Sequence, residues 1–88
     1  MLSLIIALAL SNPPKVTLTW NGQATQVMRA QGNCWNASKL SWITIAQIPP
    51  SSTYTDLTTV ANEMYCYYVM DTKGNKSNYI GEEVVVVP

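Results

Sequence analysis

Turn-forming residues cut this sequence at short intervals, at Asn12-Pro13-Pro14, Asn21-Gly22, Gly32-Asn33, Pro49-Pro50-Ser51-Ser52, Asn62, Lys73-Gly74-Asn75 and Gly81. Proline fixes φ and lacks an N–H, while glycine and asparagine accept the left-handed conformations of tight turns, so regular elements are expected to stop at these points. Seven strand-length pieces remain, residues 2–10, 15–20, 25–31, 40–48, 53–59, 64–70 and 79–87. Val, Ile, Thr, Tyr and Trp make up 31 of the 88 residues, side chains that fit a pleated backbone, and no apolar period of 3.6 runs long enough for a helix. Short strands with regular turn signals predict an all-β sandwich or barrel. A chain of this length supports one core, so residues 1–88 form a single domain.

Alternation assigns faces within several pieces. Val16, Leu18 and Trp20 point one way and Lys15, Thr17 and Thr19 the other, as in a strand with one wet face. Ile43 and Ile45 oppose Trp42, Thr44 and Ala46. Tyr65, Tyr67 and Val69 share a face opposite Cys66, Tyr68 and Met70, but neither face is polar, so alternation does not choose the inner one. The expected core is Trp20, Val27, Ile43, Ile45 and Val69.

Charge and chemistry narrow the function. Five basic and five acidic residues leave no net charge, and there is no histidine. That removes Ser-His-Asp and Cys-His catalysis and imidazole metal sites. A single arginine, Arg29, gives no strong phosphate-binding surface, so no nucleic acid partner is expected. Asp56, Glu63, Asp71, Glu82 and Glu83 read as solvated surface, with nothing to pair two of them across a cleft. Asp71 is expected to cap the DTKGNKS turn. The reading is of a non-enzyme with no catalytic residue, cofactor or metal site.

Two features leave alternatives open. Cys34 and Cys66 stand 32 residues apart in no metal-binding spacing, and are either a disulfide closing a long loop or two free thiols. Trp35, in the loop after Gly32, and Trp42, at the start of the next piece, form either an exposed platform for a sugar ring, with Asn33 and Asn36 to bond hydroxyls, or structural cover for the loop and sheet edge.

The start of the chain, MLSLIIALALS, has the apolar length of a signal peptide but no positive leading region and no lipid-anchor cysteine, and it is too short to span a bilayer. It is read as the first strand. This run and Val84 to Val87 are apolar without alternation, which normally means burial on both faces. Leu4, Ile5, Ile6 and Leu8, with Val84, Val85 and Val86, are therefore expected to be covered by a protein partner, since only Glu82 and Glu83 guard either strand.

The order of motifs resembles a fibronectin type III domain of the bacterial or phage kind, over residues 15–88. KVTLTWNG is similar to that family's second strand with its core tryptophan, Trp20, and TQVMRAQ to its third. WITIAQIPPSSTYTDL is similar to its hydrophobic strand, turn and Thr-Tyr-Thr-Asp segment. MYCYYVMDTKGNKS resembles its tyrosine-rich sixth strand and the turn after it, and EEVVVVP its last strand. The sixth strand is about two residues short before Asp71, which leaves the corner tyrosine unassigned between Tyr65 and its neighbours, and no Arg-Gly-Asp occurs. The resemblance implies a seven-strand immunoglobulin-like antiparallel sandwich, three strands facing four. Similar domains serve in phage virions as capsid decoration proteins or tail accessories, which implies a virion surface subunit bound to capsid proteins or to copies of itself. The alternative is a secreted or cell-surface adhesion or carbohydrate-binding module, which a disulfide would favour.

Overall fold

The computed structural model describes residues 3–11 and 14–83, with side chains given for residues 14–81. Among these residues the chain is all-β, with five antiparallel strands: β1 (Ser3–Ser11), β2 (Pro14–Gln31), β3 (Ile43–Asp56), β4 (Met64–Met70) and β5 (Ile80–Glu83). Hydrogen bonding gives the order β1-β2-β4-β5, with β3 also paired to β2. A 3₁₀ helix, Cys34–Lys39, links β2 to β3. Among the described residues no helix is long and apolar enough to cross a membrane.

Five strands replace seven pieces because two expected breaks are bends. Asn21-Gly22 lies inside β2, where Gly22 takes a φ of 89°, a conformation that costs glycine little. Pro49-Pro50 lies inside β3, where the ladder to β2 is interrupted between Gln47 and Ser51, so neither ring removes a needed hydrogen bond. Each long strand therefore runs through two ladders. The first part of β2 has β1 on one side, with Leu18 opposite Ala7, and the second part of β3 on the other, with Leu18 opposite Tyr54. Its second part lies between the first part of β3, Val27 opposite Ala46, and β4, Val27 opposite Val69.

Both parts of β2 bury side chains in one core. Val16, Leu18, Trp20, Ala24 and Val27 pack with Tyr65, Tyr67 and Val69, so the inner face of β4 is the one carrying the two tyrosines and the valine. The Trp20 indole N–H donates to the Ser51 carbonyl at 2.9 Å, satisfying its polar atom within the core. Ile45 packs at the edge of this cluster. Ile43 does not belong to it: the side chain is 51% exposed. Ile43 pairs with Arg29 at the first residue of β3, beyond the cluster, where it lines an open groove, and a bulge that leaves Ile45 as an extra residue breaks the expected alternation between the two isoleucines.

Asp56 also departs from expectation, being 1% exposed rather than solvated. Asp71 behaves as expected, its Oδ1 accepting from the backbone N–H groups of Lys73 and Asn75, both at 2.9 Å. Strand β1 lies at the end of the strand order and carries a bulge between Leu4 and Ile6, one of the devices that discourage edge pairing. The expected partner residues Leu4, Ile5, Ile6 and Leu8 lie on β1. Val84, Val85 and Val86 lie outside the described residues.

Candidate functional site

The outward face of β4 is built by the residues that alternate with the core tyrosines. Cys66 sits opposite Ala30 of β2 and Gly81 of β5, and Tyr68 opposite Met28. Cys34, at the start of the 3₁₀ helix, is joined to Cys66 by a disulfide with a Cα–Cα distance of 5.2 Å. The bond holds the helix over the sheet. Gly81 lies against the bond, and a Cβ there would stand 3.4 Å from the Cys34 sulfur, an ordinary contact.

Local sequence shapes the helix. Asn33 precedes it in extended conformation, and its Oδ1 accepts the Trp35 backbone N–H at 3.2 Å, the usual asparagine capping role. A kink at Asn36 interrupts the helix. Trp35 projects from it and is 82% exposed.

Trp42 follows the helix and is tied back to it, the indole N–H donating to the Ala37 carbonyl at 2.9 Å. Its ring stacks on Tyr79 with centroids 5.5 Å apart and meets the edge of Tyr68 at 4.9 Å. Tyr68 and Tyr79 meet edge to face at 5.5 Å, which closes a triangle of three rings. Lys76 stands over Tyr68, 5.3 Å from its centroid, so the cluster also holds a cation. Tyr79 is 46% exposed.

The two candidate tryptophans therefore have different roles. Trp42 is half-buried inside a ring cluster, and Trp35 stands free on a disulfide-anchored turn. Tyr68, Tyr79 and Lys76 were missed as members of the face. The period-two pattern of MYCYYVM already put Cys66 and Tyr68 together, but Tyr79 arrives through pairing of β5 with β4, a long-range event.

A second feature opens where β2 ends and β3 begins. A groove of about 580 Å³ is lined by Arg29, Lys39, Leu40, Ile43, Val60 and Tyr65, among others. Two of its lining residues, Arg29 and Thr58, are held by the buried Asp56, whose carboxylate accepts from Arg29 Nη1 at 2.9 Å, Tyr67 Oη at 2.8 Å, and the Thr58 backbone N–H and hydroxyl at 2.9 and 2.6 Å. Burial alone would raise the Asp56 pKa, but these hydrogen bonds outweigh it and hold the carboxyl below its ordinary value. Burial, reinforced by the bond to Asp56, raises the Tyr67 pKa, so its hydroxyl stays a donor. The Arg29 guanidinium also lies 4.9 Å from the Tyr65 ring centre.

Comparison with protein families, curated proteins and solved structures finds no match to this chain.

Proposed function

We propose that this chain is a non-catalytic interaction domain with the seven-strand sandwich architecture of fibronectin type III domains, acting as a surface subunit of a virion. Counted by ladder, β1, the first part of β2 and the second part of β3 make a group of three. The first part of β3, the second part of β2, β4 and β5 make a group of four. A further support is Tyr65 at the start of β4, whose hydroxyl accepts the Val60 backbone N–H at 2.9 Å, five residues upstream, in the manner of the corner tyrosine of immunoglobulin-like sandwiches.

The observation that carries the interaction reading is Trp35, a large apolar side chain presented to solvent on a turn that a disulfide and an asparagine cap hold in place. Rigid, exposed aromatic anchors are what protein interfaces use, because little conformational entropy is lost when they are buried. The virion setting rests on analogy alone, from the resemblance of the motif order to fibronectin type III domains of the bacterial or phage kind.

A second reading, a secreted adhesion or carbohydrate-binding module, is favoured by the Cys34–Cys66 bond, since disulfides persist in oxidising compartments. Density-gradient fractionation of the culture that makes the chain, with mass spectrometry of each fraction, separates the two. Banding with particles at a fixed ratio is the expected result. Recovery only as free extracellular protein, with sugar-array binding that Trp35→Ala abolishes, would replace the first reading with the second.

A further inference from the structure

Strand β1 lies at the end of the strand order, and its one ladder among the described strands is with β2. The register runs from Ser3 opposite Asn21 to Ser11 opposite Pro14, so within one chain a loop of two residues, Asn12 and Pro13, must join the strands. That sequence is poorly suited to so tight a turn. Types I′ and II need a positive φ at the second loop residue, which the ring of Pro13 forbids. Type I needs a helical first residue, and the proline after Asn12 pushes it out of that region. Type II′ needs ψ of about 0° at the second residue, and Pro14 in turn pushes Pro13 toward extended backbone. Pro14 also has no N–H to return to the Ser11 carbonyl and close the hairpin. What remains is the type VI turn, whose cis bond occurs at about 5–6% of X–Pro sites in folded proteins.

We propose that β1 is exchanged between two copies of this chain, each lending its β1 to the β2 of the other across a two-fold axis. Asn12 and Pro13 each precede a proline and so favour extended backbone, the conformation that carries β1 straight on from β2 and away from its own ladder. A second copy is the occupant because β2 of an identical chain offers the same partners, Leu18 for Ala7, Thr17 for Leu8 and Val16 for Ala9. Every β1–β2 pairing of the closed chain is remade between copies, and the loop is what differs, so relief of the loop favours the exchanged form. Short hinges under strain invite such swaps. The LIIALAL run of β1 carries no charge and gains nothing from water, so a β1 that leaves its own β2 is driven into the equivalent seat in the other copy. The exchange is independent of Trp35 as an anchor and of the virion setting.

Size exclusion with light scattering, over micromolar to millimolar loading, tests the exchange on the wild type and a hinge variant. The wild type is expected to contain a dimer that converts to monomer slowly, because the β1–β2 ladder must open first. Pro13→Gly with Pro14→Thr puts an Asn-Gly pair in the loop, the sequence best suited to a two-residue hairpin, and restores the missing N–H. This variant is expected to keep the far-ultraviolet spectrum and the melting temperature, and to dimerise about a hundredfold more weakly, since each dimer relieves two hinges. A Leu8→Cys copy and a Thr17→Cys copy, whose altered positions are opposite in the ladder, are then unfolded together, refolded and oxidised. A mixed covalent dimer, identified by its mass, is the expected product. A wild type that stays monomeric throughout, a dimer that the hinge variant keeps unchanged, or a mixture without the mixed dimer overturns the exchange. A monomer that bands with particles would refute the exchange and leave the virion reading standing.

Discussion

The Tyr67 hydroxyl donates to Asp56 Oδ2 at 2.8 Å inside the core, tying β4 to the last residue of β3. Arg29 of β2 reaches the same oxygen at 2.9 Å, so one carboxylate joins three strands that are distant in sequence. Removing one partner of a buried charged pair leaves the other uncompensated, and Asp56→Ala should therefore lose about 3–5 kcal/mol. Tyr67→Phe deletes a single bond to a charged group and should lose about 1–3 kcal/mol. Urea unfolding of both variants measures the difference, and equal losses would show that the Arg29 pair and the Thr58 bonds together add nothing to the tyrosine bond.

The pH dependence follows from the same carboxyl. Its pKa is lowered in the folded state from the ordinary 3.8, so on acidification the unfolded chain takes up this proton first. The Asp56 contribution is then complete above about pH 5 and is lost as pH falls through 3.8 toward the folded value. Asp71, also lowered by its turn hydrogen bonds, adds a slope of the same sign. Asp56→Asn should flatten, without abolishing, the fall in melting temperature below about pH 4. An unchanged slope in that variant would assign the acid sensitivity elsewhere.

Trp20 and Ile43 were both expected in the core, and they should now separate. Trp20 is 2% exposed and bonded to Ser51, and Trp20→Ala should cost about 3–5 kcal/mol. Ile43 is 51% exposed, and Ile43→Ala should stay within about 1 kcal/mol of the wild type. Chemical denaturation midpoints at constant slope decide it.

The disulfide closes a loop spanning 32 residues, from Cys34 to Cys66. The double variant Cys34→Ala, Cys66→Ala should lose about 3–4 kcal/mol through the freed unfolded chain. It should also release the 3₁₀ helix from the sheet, which amide exchange at residues 34–39 would report as faster opening while β2 stays protected.

The all-β class was legible in the sequence because it follows from local properties: side chains that favour extended backbone, and period-two alternation. Those same properties placed Tyr65, Tyr67 and Val69 on one face and Cys66 and Tyr68 on the other. The turn at Asp71 was legible because capping is a contact between near neighbours.

What the sequence by itself could not determine were choices made between distant segments. It predicted breaks at Asn21-Gly22 and Pro49-Pro50, yet tertiary pairing carries β2 and β3 through both, because a bent strand can serve two ladders where an isolated piece serves one. It counted Asp56 as surface, since a lone carboxylate normally stays in water. Burial became affordable only where Arg29, Thr58 and Tyr67 converge on it. It likewise offered Trp35 and Trp42 as equals. Pairing of β5 with β4 brought Tyr79 to Trp42 and covered that ring, and the bond between Cys34 and Cys66 left Trp35 standing alone in solvent.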